Sequence, residues 1–199
     1  MFEIAEYIGI VAFAISGFFV AVRSNLDLLG VLVSVFLTAL GGGIIRDIMV
    51  DRVPYTFRYD TPAFIVLGVM LLLILFRFHR HNSIENRPYF ILSDSIGLIS
   101  FSITGALIAL ENGLNLTGVL ALAFITAVGG GITRDVIINE VPFVFKTGFY
   151  GTVSLLVGLV LFGLERYEML SSLAVVIVFI VGVFLRLMAY YRKWSIPLV

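Results

Sequence analysis

Long apolar runs separated by short polar connections dominate the pattern of this chain. A membrane-spanning helix needs about 20 mostly apolar residues. On that rule the pattern predicts seven spans, at residues 4–22, 28–50, 62–78, 90–110, 116–138, 148–165 and 169–190. The connections at 23–27 and 111–115 have the composition of tight turns, in which Asp27 and Asn115 are placed to cap the next helices. The predicted fold class is therefore an all-α membrane protein with seven transmembrane helices.

One polar motif occurs twice within these runs. The first copy is Thr38-Ala39-Leu40-Gly41-Gly42-Gly43-Ile44-Ile45-Arg46-Asp47, and the second is Thr126-Ala127-Val128-Gly129-Gly130-Gly131-Ile132-Thr133-Arg134-Asp135. At the same offset of 88 residues, 1–60 aligns with 89–148 without a gap, and 24 of the 60 pairs are identical. This agreement, which includes polar and glycine positions, predicts a duplicated unit.

The duplication also predicts how the chain is organised in the membrane. Each copy contains three predicted spans, so the second copy enters from the opposite side and the repeat is inverted, with a pseudo-two-fold axis in the membrane plane. We predict a first three-helix repeat at 1–78, a linker at 79–88, an inverted second repeat at 89–165, and a seventh helix with the C-terminal tail at 166–199.

Composition narrows the class further. Hydrophobic residues make up 60% of the 199 residues, against roughly 45–50% in soluble domains, and the mean hydropathy is +1.11. Thirteen basic residues balance thirteen acidic ones, so nothing suggests nucleic acid, and the absence of cysteine excludes disulfides and thiolate metal sites. Most lysines and arginines fall on one side of the predicted topology, which places the N-terminus outside and the C-terminus in the cytoplasm.

The two glycine triplets are costly inside a helix, since each glycine weakens it by about 1 kcal/mol relative to alanine. We expect Gly41, Gly42 and Gly43 to break the second span, and Gly129, Gly130 and Gly131 to break the fifth, so that freed carbonyls face a cation near the midplane. The alternative is that the glycines only permit close packing of helices.

The charges after each triplet are equally costly, at roughly 2.5–3.5 kcal/mol for a charge at mid-membrane. Sequence neighbours point about 100 degrees apart on a helix, so we expect Arg46 to pair with Asp135, and Arg134 with Asp47, across the two-fold axis. The four side chains then line or brace an aqueous route. The alternative is a purely structural pair of bridges that locks the repeats together.

Three more polar pairs occupy equivalent positions within the spans: Glu6 with Asp94, Ser16 with Thr104, and Thr38 with Thr126. The two carboxylates lie near helix starts, where they suit the macrodipole, although a binding role stays open. The hydroxyls of Ser16 and Thr104 either bond back to their own helix or coordinate an ion. The histidines, in the 79–88 linker, have no carboxylate at ligand spacing, so we predict no metal site.

The motifs together resemble a known family. A duplicated Gly-Gly-Gly-x-x-Arg-Asp, each copy followed by Val-Pro and preceded by Phe-x-Ile-[Ser/Thr]-Gly, is similar to the prokaryotic members of the trimeric intracellular cation (TRIC) channel family. The resemblance implies a homotrimer with one pore per subunit, potassium and other monovalent cations as permeant ions, and kinked second and fifth spans at the glycine triplets. It also leads us to expect aspartate in the first span, where this chain has Glu6.

These observations lead to one main functional prediction and one alternative. We predict a potassium-permeable monovalent cation channel in the plasma membrane, with membrane lipids around it, no cofactor, and potassium or sodium as the permeant ion. The alternative is a secondary transporter for a small solute such as glycine, because inverted repeats with broken helices are also typical of transporters. A non-conducting scaffold ranks last, and no enzyme is expected, since the spans contain no nucleophile or carboxylate–histidine constellation.

Overall fold

The computed structural model describes residues 2–78, 87–146 and 149–194, without the side chains of Arg87 and Lys146. This part of the chain is helical, with no strand in the residues described. The helices are α1 (Phe2–Arg23), α2 (Leu28–Met49), α3 (Tyr55–Arg58), α4 (Thr61–Leu75), α5 (Arg87–Glu111), α6 (Leu116–Ile137), α7 (Phe143–Lys146), α8 (Tyr150–Arg166) and α9 (Ser172–Tyr191).

A helix lies at each of the seven predicted spans, but the helices differ in length. Five of them, α1, α2, α5, α6 and α9, are long and apolar enough to cross a membrane. The helices α4 and α8 have 15 and 17 residues, so at 1.5 Å per residue they are shorter than a bilayer core of about 30 Å. Most of the predicted linker 79–88, with both histidines, lies outside the described residues, and its last two residues begin α5.

The short helices α3 and α7 occupy equivalent places in the two copies and were not predicted. Pro54 is the residue before α3, and it lacks a side-chain hydrogen bond that would cap the helix. The chain turns between the end of α2 at Met49 and Pro54, and it starts a new helix directly after this proline. The capping group comes from Asp47, whose Oδ2 accepts from the backbone N–H of Tyr55 at 2.8 Å.

The predicted helix caps are confirmed. Asp27 Oδ1 accepts from the backbone N–H of Gly30 at 2.7 Å, and Asn115 Oδ1 accepts from that of Gly118 at 2.9 Å. Each bond satisfies one of the backbone donors that the first turn of a helix leaves without a partner. The same kind of side-chain N-cap therefore stabilises the helix start at both equivalent turns.

The helices α1 and α5 form the centre of the molecule and pack against each other through reciprocal contacts. A Cβ on Gly9 would overlap the ring of Phe101, and a Cβ on Gly97 would overlap the ring of Phe13. The two rings lie edge to face, with their centroids 5.2 Å apart. The contact of Gly9 with Phe101 and that of Gly97 with Phe13 are equivalent at the offset of 88 residues. The two helices therefore pack through equivalent surfaces.

Candidate functional site

Buried polar side chains gather between α1, α2, α5 and α6, in the otherwise apolar interior. Those buried from these four helices include Glu6, Ser16, Ser34, Thr38, Arg46, Asp47, Asp94, Thr104, Thr126, Arg134 and Asp135. Buried polar groups of this kind need hydrogen-bond partners, and intramembrane charges usually face the interior or a water-filled path. This cluster is therefore the candidate functional site.

Arg46 is fully buried and is held by the carboxylate of Glu6. Its Nη1 lies 2.7 Å from Glu6 Oε2, and its Nη2 lies 3.2 Å from Glu6 Oε1. This two-point pairing is the geometry in which arginine binds carboxylates most strongly. Glu6 therefore neutralises a buried charge instead of only facing the dipole of its own helix, which corrects our capping interpretation.

The predicted pairing of Arg46 with Asp135 and of Arg134 with Asp47 is wrong. Arg46 Nε donates to Asp47 Oδ1 at 2.8 Å, and Arg134 Nε donates to Asp135 Oδ1 at 2.8 Å. The argument from helix angles failed because it treated both side chains as short. The long arginine side chain can fold back, and each aspartate is fixed beside it by a second bond.

That second bond ties each aspartate to the turn that follows its helix. Asp135 Oδ2 accepts from the backbone N–H of Phe143 at 2.8 Å, as Asp47 Oδ2 does from Tyr55. One carboxylate therefore joins an arginine to the first residue of the next short helix. The Arg-Asp dipeptide acts as a structural latch within each copy, so these two pairs are not the bridges between the repeats that the structural alternative described.

The arginines do reach across to the other copy, but they meet threonine hydroxyls there. Arg46 Nη1 donates to Thr104 Oγ1 at 3.1 Å, and Arg134 Nη1 donates to Thr38 Oγ1 at 3.2 Å. These bonds join α2 to α5 and α6 to α2 in the centre of the candidate site. The predicted site residues Thr38 and Thr104 thus bind protein donors in this structure.

The buried hydroxyls differ in the partners to which they donate. Thr38 and Thr126 each donate to the carbonyl four residues earlier, Ser34 and Leu122, at 2.6 Å. Ser16 instead donates to Asp94 Oδ1 at 3.2 Å, so it does not show the bond back to its own helix that was one of its two open roles. Thr104 does bond back, to the carbonyl of Phe101 at 3.3 Å.

The glycine triplets do not interrupt their helices. The backbone stays α-helical from Leu28 to Met49 and from Leu116 to Ile137, so the unwound break that we expected is absent. The glycines permit close packing instead, because a Cβ on Gly42 would overlap the carbonyl oxygen of Thr126. A Cβ on Gly130 would lie 2.6 Å from the carbonyl oxygen of Leu37. The close-packing alternative describes these positions.

The triplets differ from position to position. A Cβ on Gly41 would lie 3.2 Å from the Cα of Gly130, and one on Gly129 would lie 3.1 Å from the side chain of Ile45. A Cβ on Gly43 would lie 3.2 Å from Glu6 Oε1, whereas one on Gly131 would meet nothing closer than 3.8 Å. The middle glycine of each triplet is therefore the one that the packing of α2 on α6 requires.

Sequence reasoning missed two contributors to the site. Arg186 of α9 is only 1% exposed, and its guanidinium carbon lies 4.8 Å from the centroid of the Tyr150 ring. Tyr150 donates its hydroxyl to Asp94 Oδ1 at 3.2 Å. A signal was present, because Arg186 is the one charged residue in the predicted span 169–190. We had counted it only toward the orientation of the chain.

A tyrosine pair closes one end of the site beside Glu6. The hydroxyls of Tyr7 and Tyr55 lie 2.7 Å apart. Burial, together with this hydrogen bond, raises the pKa of the Tyr55 hydroxyl above its usual value. Tyr55 therefore stays neutral at any physiological pH. Among the residues that the structure describes, no group of three or more histidine, aspartate or glutamate side chains could hold a metal ion.

Comparison with known proteins places this architecture among membrane proteins. A family model described as a glycine transporter matches residues 3–78 and, a second time, residues 91–166. The UPF0126 membrane protein YvgT of Bacillus subtilis is 35% identical over 195 residues, which cover 98% of this chain and 95% of that protein. The UPF0126 inner membrane protein YadS of Escherichia coli K12 is 34% identical over 157 residues, which cover 78% and 74%.

Solved structures of similar fold are cation channels. One, determined to explain conductance through TRIC cation channels, is 36% identical with a TM-score of 0.85, over 100% of this chain and 97% of that one. A prokaryotic TRIC channel crystallised in 0.5 M KCl is 29% identical with a TM-score of 0.88, over 98% of each chain. The trimeric intracellular cation channel orthologue of Rhodobacter sphaeroides is 27% identical with a TM-score of 0.87, over 97% and 98%.

Proposed function

This chain belongs to the prokaryotic TRIC-like family whose model is described as a glycine transporter, and on that premise we propose that it is a potassium-permeable channel for monovalent cations. The observation that carries the proposal is its end-to-end likeness to TRIC cation channels, at 36% identity and a TM-score of 0.85. The solved neighbours are named as channels, which are not enzymes. The assembly that we propose is a homotrimer with one pore in each subunit, and the trimeric neighbour supports its self-association.

The pathway that we propose runs between the two copies, along α1, α2, α5 and α6 beside the glycine triplets. Four buried carboxylates, Glu6, Asp47, Asp94 and Asp135, accompany three buried arginines, Arg46, Arg134 and Arg186. The carboxylates exceed the arginines by one, so the formal net charge of this set is negative and favours a cation over an anion in a low-dielectric interior. The threonine hydroxyls between the arginines are neutral ligands. A passing cation can take their oxygens in place of some of its hydration water.

Two exposed ion pairs support the inverted arrangement of repeats at 1–78 and 89–165. Arg23 Nη2 lies 2.9 Å from Glu140 Oε2, and Arg52 Nη1 lies 3.2 Å from Glu111 Oε2. At the offset of 88 residues, Arg23 corresponds to Glu111 and Arg52 to Glu140, so each pair is the copy of the other with its charges exchanged. A two-fold axis produces such reciprocal contacts. The pairs also support an arrangement in which the C-terminal ends of α1 and α5 lie at opposite ends of the molecule.

We further propose seven membrane crossings in a plasma membrane, with the N-terminus outside and the C-terminus in the cytoplasm. The short helices α4 and α8 cross with the help of their flanking residues, since a short apolar segment is accommodated by thinning of the bilayer and by snorkelling side chains. The excess of lysine and arginine on one side sets the direction.

A second candidate function is secondary transport of a small solute such as glycine. The specific observation in its favour is the description of the family model that matches the chain twice. The unbroken α2 and α6 weigh against it, because transporters of this architecture commonly bind substrate at interrupted helices.

Flux into liposomes distinguishes the two. Purified protein is reconstituted with KCl inside and an impermeant salt outside, and potassium release is followed with and without glycine. For a channel we expect passive potassium release that glycine does not alter, with valinomycin vesicles as the positive control. Saturable glycine uptake, with no potassium release beyond that of empty vesicles, would contradict the channel and support the carrier.

A further inference from the structure

Asp94, the carboxylate of the second copy that is equivalent to Glu6, has only one of its two oxygens hydrogen-bonded among the residues that the structure describes. Asp94 is 4% exposed, and its Oδ1 accepts hydrogen bonds from Ser16 and Tyr150. Its Oδ2 has no hydrogen-bond partner among the residues that the structure describes. The equivalent residue, Glu6, uses both oxygens on Arg46. A buried carboxylate oxygen without a donor is costly unless a further group binds it.

A buried arginine close by is incompletely paired as well. Arg186 has no partner for Nε or Nη2 within the described part of the chain, although its guanidinium carbon lies over the rings of Tyr150, at 4.8 Å, and Tyr190, at 5.8 Å. The nearby Arg134 is already bound by Asp135 and Thr38. Among the residues that the structure describes, Arg186 is therefore the buried arginine with unpaired N–H donors.

Tyr150 places the two unpaired groups in one site. Its hydroxyl contacts Asp94 and its ring contacts Arg186. The packing of α9 on α5 agrees, because a Cβ on Gly182 would lie 3.0 Å from the side chain of Ile99. Arg186 follows Gly182 by one helical turn, on the same face of α9. Asp94 of α5 and Arg186 of α9 therefore contact the same tyrosine, on two helices that pack together.

The unpaired atoms of Arg186 and Asp94 define the chemical groups that a ligand needs in order to bind them. Nε and Nη2 form one edge of the guanidinium plane, and this edge donates two parallel hydrogen bonds to a carboxylate. Asp94 Oδ2 accepts from a cationic N–H. A ligand that carries a carboxylate and an ammonium a short distance apart satisfies both groups at once. A bare metal cation suits the site poorly, because Arg186 repels it.

We propose that Asp94, Tyr150 and Arg186 form a binding site for a small zwitterionic amino acid. Its carboxylate binds the Nε/Nη2 edge of Arg186, and its ammonium donates to Asp94 Oδ2. Glycine is the smallest such ligand. Each subunit has one such site, because α9 has no counterpart in the first copy and Glu6 is already occupied by Arg46. The site goes beyond cation conduction and gives the protein a ligand whether or not it transports that ligand.

Equilibrium binding of radiolabelled glycine to the full chain in lipid nanodiscs tests the proposal. We expect saturable binding of one glycine per chain. Acetate and methylammonium, which each carry only one of the two charges, should compete at least tenfold more weakly than unlabelled glycine. Arg186→Gln and Asp94→Asn should each weaken binding about tenfold to a hundredfold, since each removes charge-assisted hydrogen bonds. The matched control is Arg192→Gln, which removes an exposed charge just after α9 and should bind as the wild type does.

Three outcomes would overturn the site: no saturable glycine binding, acetate that competes as well as glycine, or variants that bind as tightly as the wild type. If a variant fails to fold, the competition series on the wild-type protein still decides the matter. Binding is measured without an ion gradient. A failure here therefore leaves the potassium flux result untouched, and a silent flux assay leaves this one untouched.

Discussion

At the scale of single residues, Arg46 shows how this protein keeps a charge inside an apolar interior. It is fully buried, and it donates four hydrogen bonds, two to Glu6, one to Asp47 and one to Thr104. The phenyl ring of Phe2 lies 5.1 Å from its guanidinium carbon and covers one face. Because the carboxylates surround the cation, removing one of them should cost far more than an exposed pair would.

Glu6→Gln tests this expectation. The substitution keeps the shape of the side chain but leaves Arg46 with Asp47 as its single carboxylate. We expect a loss of up to about 3–5 kcal/mol in the free energy of unfolding, as when one partner of a buried ion pair is removed. Unfolding of the purified protein in detergent measures it. The control Glu3→Gln, at an exposed position of the same helix, should stay within about 0.5 kcal/mol of wild type, and an equally small change for Glu6→Gln would refute the role of the pair.

A charge reversal distinguishes the observed network from the pairing that we first expected. Arg46→Asp should destabilise the protein strongly, because it puts an acidic group beside Glu6 and Asp47. Adding Asp135→Arg should give no rescue, since in the described residues the ion pairs of Arg46 are with Glu6 and Asp47. A double-mutant cycle on unfolding free energies gives the answer. Recovery of stability in the double variant would mean that the bridge crosses between the copies after all.

The sequence located the charged residues correctly but could not assign their partners. The apolar runs of the sequence give the positions of the charged residues within the spans, and the offset of 88 residues gives the duplication. Partner choice depends on how far a side chain reaches: Arg46 folds back to Asp47 because Tyr55 holds that aspartate in place. Arg186 was overlooked because it has no copy in the repeat, and our search for functional residues followed the repeat.

At the scale of helices, the contact of α2 with α6 determines how closely the two copies approach. The middle glycine of each triplet lies against backbone carbonyls of the other helix. Close backbone approach through small residues is a common way for helices to associate in membranes. The sequence predicted special behaviour at the triplets but could not separate a break from a close contact, because glycine permits both.

Gly42→Ala and Gly131→Ala should therefore differ sharply. The first adds a methyl group that overlaps the carbonyl oxygen of Thr126, so α2 and α6 must separate and folding or conduction should be lost. The second adds a methyl group in ordinary contact distance of its neighbours and improves helix propensity, so stability should be unchanged or higher by up to about 1 kcal/mol. Thermal unfolding and yield of folded protein compare them. Equal behaviour of the two variants would show that packing at Gly42 is not the constraint.

At the scale of the whole molecule, the two ion pairs Arg23–Glu140 and Arg52–Glu111 carry the argument for inversion. Arg52 and Glu140 occupy equivalent positions of the two copies with opposite charges, and so do Arg23 and Glu111. Each ion pair joins a residue of the first copy to a residue of the second. Both pairs are largely exposed, so each contributes only about 0.2–1 kcal/mol. The two pairs matter because they are equivalent at the offset of 88 residues, which supports the proposed two-fold relation of the copies.

Labelling of introduced cysteines tests the inversion directly, since the chain has no cysteine of its own. Val53 and Val141 are equivalent positions of the two copies, both exposed and outside helices. In intact cells, a membrane-impermeant maleimide should label Val53→Cys, on the outer side. It should label Val141→Cys only after the cells are opened. Labelling of both from the same side would rule out inverted repeats.

The central claim, cation conduction, is tested most directly by single-channel recording. Purified protein is incorporated into a planar bilayer with a tenfold KCl gradient across it. We predict discrete ohmic openings whose current reverses near the potassium equilibrium potential, and not near that of chloride. A bilayer that stays silent with demonstrably incorporated protein, or currents that reverse at the chloride potential, would contradict the account.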